Sequence, residues 1–373
     1  MKTVFVGLSG GVDSAVSAYL LKKEGYKVVG AFIKGWEPDF LPCTGARDRL
    51  EAMRVAAHLN IPFITYDLEK EYKKEVVDYF VEEYRKGRTP NPDVLCNRTI
   101  KFGAFWEKAK ADGADMIATG HYAQNLLLKS DFNNGRYRLF RGVDDSKDQS
   151  YFLWTLTQND LTHSMFPIGG LQKAEVRTIA KRAGLPNAER KDSQGLCFLG
   201  HVDMHSFLKR YIPAKPGFIY GNNGKVVGEH DGVAFYTVGE RVPVRTGGKK
   251  MYVVAKDISL NTLTASPMID VGRQSWGEGR KRMLLKDAHW IGGAPTRGEV
   301  YEAQTRYHGE KYAVSIVGNS VQFEKSVLAA DGQSLVVYLP APRTPPARAG
   351  HADGRQAGDK NSGECLGGGI IAE

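Results

Sequence analysis

The sequence predicts an α/β fold: a doubly wound parallel sheet over residues 1–210, followed by two small β-rich units at 211–275 and 281–373, the last a β-barrel. Three observations predict it. Strand-like apolar runs alternate with helix-period segments through the first two hundred residues. A Gly-Gly turn joins the first strand to the first helix. Beyond about Tyr211, short β-branched and aromatic runs broken by Gly, Asn and Asp recur at hairpin spacing.

In chain order, Thr3–Leu8 is an apolar run ending at Gly10-Gly11. Val12, Ala15, Val16, Tyr19 and Leu20 then mark one helical face, with Gly25 where the C-terminal cap belongs. Lys27–Ile33 reads as a strand, Arg47–Asn60 as a helix, Ile61–Asp67 as a strand, Glu71–Lys86 as a long helix and Asp115–Gly120 as the fourth strand. Leu126–Leu139 reads as a hairpin turning at DFNNG. Val176, Ile179, Ala180 and Ala183 mark another amphipathic helix. Pro267–Arg280 reads as a linker between the two β-rich units. Pro340–Gly363 has no apolar periodicity and reads as an exposed basic loop between strands.

At about 150 residues per domain, 373 residues suggest two or three domains. A 42% hydrophobic and 25% charged composition fits a globular chain that needs no disulfides. No apolar run approaches the ~18 residues of a membrane span. The start, MKTVFVGLSGG, has no signal-peptide cleavage site. The expectation is a cytoplasmic protein with no membrane partner. Fifty-one Lys+Arg against 42 Asp+Glu gives +9, compatible with a polyanionic partner but weak evidence alone. Cys43, Cys96, Cys197 and Cys365 form no C-x-x-C pair, which removes zinc ribbons and thioredoxin-like motifs. Cys197 and His201 have the spacing of a zinc half-site but lack two further ligands, so no side-chain metal cluster is expected.

SGGVDS, Ser9–Ser14, sits between a strand and a helix, where α/β sheets bind ligands. Gly10 and Gly11 permit close backbone approach, and helix amides favour negative charge. It lacks the G-K-[ST] ending of a Walker loop and is not G-x-G-x-x-G. The plain alternative is a ligand-free Gly turn. Cys96, in RTPNPDVLCNRTIKF, is expected in a loop, Asn91–Asn97, because two prolines break any helix there. Cys197 lies in RKDSQGLCFLG, also expected as a loop. Basic neighbours (Arg88, Arg98, Lys101; Arg190, Lys191) favour thiolate at both, whereas an inert buried thiol is the bland reading and the one kept for Cys43 and Cys365.

SGGVDS resembles the pyrophosphate loop of the ATP pyrophosphatase (PP-loop) superfamily. TPNPDVLCN, ATGHYA, KDQSYFLWTL, KDSQGLCFLG and LGGGII, in that order, resemble the bacterial tRNA-specific 2-thiouridylase family. The match is specific from Lys2 to about Arg210 and looser beyond, where VPVRTGGKK replaces a usual RKGLGIGG. The resemblance implies that the wobble uridine of tRNAs for lysine, glutamate and glutamine becomes 2-thiouridine. ATP would adenylate the carbon-2 oxygen and sulfur would then displace AMP. It implies that Gly7, Leu8, Ser9, Gly10, Gly11, Val12, Asp13, Ser14, Ile33 and Gly120 contact ATP, with Mg2+ screening the phosphates. Cys197 would carry a persulfide, Cys96 would be its catalytic partner in thiol–disulfide exchange, and Asp93 an acid or base. Asn91, Pro92, Asp93, His121, Lys147, Asp148, Gln149, Arg306, Tyr307 and Gln333 would contact the target base or the tRNA, the base leaving its stack to react. A sulfur-relay protein or a cysteine desulfurase would load Cys197. Two alternatives stand beside this: another PP-loop enzyme, which would not need two loop cysteines, and a non-catalytic tRNA binder, which would tolerate a decayed phosphate loop.

Overall fold

The computed structural model describes residues 1–40, 45–128, 135–192, 203–246, 249–267, 279–340 and 363–372. Five parallel strands form the first sheet: β1 (Thr3–Gly7), β2 (Lys27–Lys34), β3 (Phe63–Asp67), β4 (Met116–Ala118) and β7 (Ser164–Met165), in the order β3-β2-β1-β4-β7. This is the doubly wound sheet the alternation predicts. β1 is central, and its Val4, Phe5 and Val6 are buried, as a strand covered by helices on both faces requires.

Helix α1 (Val12–Lys23) ends where Gly25 is expected to cap it: Gly25 N–H donates to Lys22 O and Tyr26 N–H to Leu21 O, the paired bonds of a Schellman cap. Its buried face is displaced from the predicted one, taking Ala18 and Leu21 in place of Tyr19 and Leu20. Helix α2 (Gly45–His58) follows β2. The predicted long helix is a continuous helical run, 69–85, whose middle, Lys73–Asp78, is π-helical. A second run, 92–111, again carries a π segment, Cys96–Ala104. Among the described residues no helix is long and apolar enough to cross a membrane.

The second sheet, β10-β11-β12-β8-β9, spans β8 (Gly217–Gly221), β9 (Val226–His230), β10 (Arg241–Thr246), β11 (Lys249–Asp257) and β12 (Thr262–Ser266). It is not wholly antiparallel as hairpin spacing implies, because β12 pairs with β8 in parallel. The third comprises β13 (Arg280–Trp290), β14 (Tyr301–Gln304), β15 (Tyr312–Val317), β16 (Ser320–Val327), β17 (Ser334–Tyr338) and β18 (Glu364–Ile371). A β13–β18 pairing closes these six into a barrel. Closure explains LGGGII: a Cβ on Gly367 would stand 2.0 Å from the His289 carbonyl oxygen, and one on Gly368 2.2 Å from that of Leu335.

The predicted hairpin forms, as β5 (Ala123–Leu127) and β6 (Tyr137–Arg141), with most of its turn outside the described residues. It does not stay with the first sheet. β6 pairs with β18 at Glu364↔Phe140 and Cys365↔Leu139, extending the barrel and joining a hairpin of the first two hundred residues to the last strand. Buried Leu139 and Cys365 seal that seam. The interiors of the proposed linker (268–278) and basic loop (341–362) also lie outside the described residues.

Candidate nucleotide and thiol site

β2 lies on one side of β1 and β4 on the other, so the carboxyl ends of β1 and β4 flank the crevice at which the winding reverses. SGGVDS fills it. Gly10 holds φ +77°, and a Cβ there would stand 2.6 Å from the Asp48 carbonyl oxygen, so both conformation and space call for glycine. Gly11 is the extended N-cap of α1. The two serines brace the loop: Ser14 Oγ donates to Gly11 O (3.1 Å) and accepts from Ser9 N–H (3.2 Å), and Ser9 Oγ accepts from Gly11 N–H (3.4 Å). Asn187 Nδ2 (2.8 Å) and Arg190 Nη1 (3.2 Å) donate to Gly10 O and fix the loop from behind. Amides at the first turn of α1 with hydroxyls beside them form a donor set that fits phosphate oxygens. Gly120 walls the opposite side, its would-be Cβ 2.7 Å from Ser14 N.

Asp13 is held by an ammonium and a hydroxyl contributed from far along the chain. Lys173 Nζ donates to both its oxygens (2.7 and 2.9 Å) and the Tyr122 hydroxyl to one (2.8 Å). Burial and then the Asp13 charge push the Tyr122 hydroxyl well above the usual tyrosine range. Lys173 also pairs with Asp192 (2.9 Å), which Lys147 (3.0 Å) and Arg177 contact in turn. Burial opposes the charge of Asp192, but Lys173 and Lys147 outweigh it and hold the carboxyl down at about 2. Tyr122, Lys173 and Asp192 are absent from the sequence-based site. They lie up to 160 residues from their partner, and no local pattern joins them.

Asn91–Asn97 is not a loop. Asn91 is an N-cap whose side-chain oxygen accepts from Asp93 N–H (3.1 Å) and Val94 N–H (3.2 Å), and Pro92 takes the first helical position, where a missing N–H costs nothing. Proline here starts the helix instead of breaking it. Asp93 sits half-buried in the first turn. Cys96, one turn on, is 0% exposed in the main apolar cluster with Leu95 and Ile100. The expected polar, basic setting is therefore corrected: Arg98 is exposed, and Arg88 is engaged by Glu83 at 2.5 Å through two nitrogens.

The same helical run reaches the crevice through Phe102, whose ring lies 5.9 Å from that of His121. His121 is enclosed, its Nδ1 2.6 Å from Thr119 Oγ1; burial and then the Lys101 charge hold the ring well below the usual histidine range, hence neutral. Gln149 grips the next residue at both ends, accepting from Tyr122 N–H (3.1 Å) and donating its own N–H to Tyr122 O (2.8 Å). Asp148 accepts from Gly142 N–H (3.0 Å), Ser150 N–H (3.1 Å) and Ser150 Oγ (3.0 Å), which shapes the 142–150 turn; burial raises its carboxyl. Tyr307 leans on Phe152 at 4.4 Å, and burial, then Asp148 and Asp93, push its hydroxyl up to about 12. Arg306 is exposed beside it. Tyr307, in the turn after β14, thus sets a residue of the barrel region against Phe152 and Tyr151.

Ile33 is 7% exposed and packed in the core, where its β2 register places it opposite Tyr66. Gln333 lies in the turn before β17, its carbonyl accepting from Ile371 N–H (2.9 Å). Cys197 and His201, like Cys43, lie outside the described residues.

Comparison with known proteins matches this geometry to one family. A family model described as "tRNA methyl transferase HUP domain" matches residues 2–201, and one described as "tRNA methyl transferase PRC-barrel domain" matches 205–267. The tRNA-specific 2-thiouridylase MnmA of Nitrosomonas eutropha is 41% identical over 385 residues, covering 99% of this chain and 98% of that protein. That of Geobacillus thermodenitrificans is 42% identical over 378 residues, 99% of this chain and 94% of that protein. That of a Listeria monocytogenes strain is 48% identical over 264 residues, 70% of each. With a crevice built for phosphates and relatives matched from end to end, the chain belongs to the tRNA-specific 2-thiouridylase family.

Proposed function

We propose that this protein is a sulfurtransferase that replaces the carbon-2 oxygen of the tRNA wobble uridine with sulfur, in the cytoplasm, on tRNAs for lysine, glutamate and glutamine. The observation that carries the reading is the end-to-end similarity to named thiouridylases combined with an intact phosphate loop whose crevice is reached by the Cys96 helix. The other PP-loop reading explains the loop and leaves the two cysteines idle.

An amide-like oxygen is a poor leaving group, and ATP supplies the adenylyl group that turns it into one. Gly10 and Gly11 bring backbone amides to the phosphates, Ser9 and Ser14 hold that loop open, and Gly120 keeps the far wall free of side chain. Among the described residues no three His, Cys, Asp or Glu side chains converge on one point, so Mg2+ would be held chiefly by the phosphates. Asn91 sets the first turn, in which Asp93 stands with Cys96 one turn on, and Tyr307 with Phe152 offers an aromatic edge to a base out of its stack. Cys197 carries the sulfane sulfur, loaded by a relay protein or a cysteine desulfurase. The outer sulfur of the Cys197 persulfide bonds carbon 2 as AMP leaves. The thiolate of Cys96, enclosed in the free protein, then attacks the inner sulfur of Cys197, releasing 2-thiouridine and leaving a Cys96–Cys197 disulfide that an external thiol reduces before the next turnover.

The test is nucleoside mass spectrometry of tRNA incubated with the protein, ATP, Mg2+ and a persulfide donor. A sulfur-for-oxygen mass change at the wobble uridine is expected, lost in both Cys96→Ser and Cys197→Ser and kept in Cys43→Ser. Undiminished release of AMP and pyrophosphate in both serine variants, with no sulfur-for-oxygen change in the tRNA, would favour another PP-loop reaction.

A further inference from the structure

Asn97 follows Cys96 directly, and no step of the proposed reaction uses it. It is a polar side chain in an apolar place: Val94, Leu95, Cys96 and Asn97 are buried in succession, and Asn97 is only 2% exposed. The π-helical segment begins at Cys96, and π turns inside α-helices recur at functional sites. The Asn97 amide is half satisfied. Its Nδ2 donates to Phe152 O (3.1 Å), while its Oδ1 is enclosed with no hydrogen-bond partner among the described residues. A dry acceptor costs about 1–3 kcal/mol, which an apolar side chain of the same size would avoid. A conflict of this kind between packing and chemistry is expected where a site needs the group.

The acceptor of that one bond is itself held from the barrel. Phe152 belongs to a single 3-10 turn, Ser150–Leu153. The Tyr151 hydroxyl donates to Ser334 O (2.8 Å) at one end of β17, and Ser150 Oγ donates to the Tyr338 hydroxyl (3.3 Å) at the other. Ser150, Tyr151 and Tyr338 are all buried, and the Phe152 ring leans on Tyr307 besides. The Asn97 bond is thus the last link of a buried connection from the barrel to the residue beside Cys96.

We propose that Asn97 is a positioning residue that fixes the Cys96 thiol relative to the barrel-anchored 150–153 turn and so serves the resolving step of the exchange. One peptide unit separates the two residues, so the bond at Asn97 sets the rotation of the helix at Cys96. Adenylation of the base and formation of the carbon–sulfur bond do not involve the Cys96 thiol and stand without it. What slows when the bond is lost is the attack on the inner sulfur of Cys197, leaving tRNA joined to Cys197 through carbon 2 and two sulfurs. The inference rests on the exchange proposed above.

The experiment is a single turnover of the full chain, preloaded with persulfide, with tRNA, ATP and Mg2+ and no added thiol. AMP is measured alongside the tRNA retained on the protein in a non-reducing gel and freed by dithiothreitol. In the native protein AMP formation and tRNA release should keep pace, and in Cys96→Ser the tRNA should stay bound. Asn97→Leu keeps the volume, deletes the donor and removes the dry oxygen. It should form AMP at the native rate while release falls about tenfold or more, as misplacement approaching 1 Å would cause. Asn97→Gln, which keeps an amide donor, should recover part of the rate. Release from Asn97→Leu at the native rate overturns the inference. So does an Asn97→Leu protein that folds but forms no AMP, which would place Asn97 in activation of the base. If Asn97→Leu does not fold, Tyr151→Phe cuts the connection at its barrel end, and native release there overturns it equally. Native release from Cys96→Ser would refute the proposed exchange and this inference together, whereas native release from Asn97→Leu alone leaves the exchange standing.

Discussion

Replacing Gly120 by alanine probes the phosphate crevice with one methyl group. The added Cβ would lie 2.7 Å from Ser14 N, 2.9 Å from Asp13 C and 3.1 Å from Asp13 Cβ, against 3.4 Å where ordinary contact begins. Two of the three atoms are backbone in the first turn of α1, so no rotamer change relieves the clash and the turn itself must move. Overpacking of this kind costs about 1–3 kcal/mol. A shift of the loop approaching 1 Å lowers turnover by about a hundredfold. Urea denaturation, ATP binding and thiolation rate together read the effect. Gly11→Ala is the control: its Cβ meets only the Ser9 hydroxyl, at 3.3 Å and at an ordinary φ of −78°. That variant should stay within about 0.5 kcal/mol of the native protein while binding ATP more weakly, since its methyl stands at the helix N-terminus. A Gly120→Ala protein with native stability, ATP affinity and rate would refute this account of the crevice.

Asn91→Ala removes the cap of the Cys96 helix and should cost about 1 kcal/mol in urea denaturation, with Asn91→Asp recovering most of it. Tyr151→Phe deletes the 2.8 Å bond to the buried Ser334 carbonyl and should cost about 1–3 kcal/mol by the same measurement, because the acceptor is left dry. Asp192 is depressed in the folded state from 3.8 to about 2, so its contribution is present above pH 3.8 and disappears as pH falls through 2. Thermal midpoints across that window should fall less steeply in Asp192→Asn, whose loss at neutral pH should be about 2 kcal/mol.

The parallel sheet and the phosphate loop were legible because they rest on local signals: strand-helix alternation, the Gly-Gly turn and the cap at Gly25. The Cys96 helix was misread because proline was weighed as a breaker, whereas Asn91-Pro92 places it at the one helical position that needs no N–H. The hairpin was legible but its allegiance was not, since the pairing of Phe140 with Glu364 depends on residues more than two hundred positions apart. A separation of 160 residues from Asp13 hid Lys173. Its charge looks like a solvated helix start in the sequence, and only the fold brings it against Asp13 and Asp192. Ile33 illustrates the converse: an apolar residue at a strand's carboxyl end suits a ligand wall and a core equally well, and its burial two residues past Ala31, whose carbonyl bonds Leu8 N–H, serves both.

The central chemical claim is that the carbon-2 oxygen of uridine leaves as part of AMP. It is tested most directly with tRNA carrying oxygen-18 at that position of the wobble uridine. Mass spectrometry of the AMP formed with ATP, Mg2+ and a persulfide donor should find one labelled oxygen for each 2-thiouridine made. Thiolated tRNA accompanied by unlabelled AMP would contradict it.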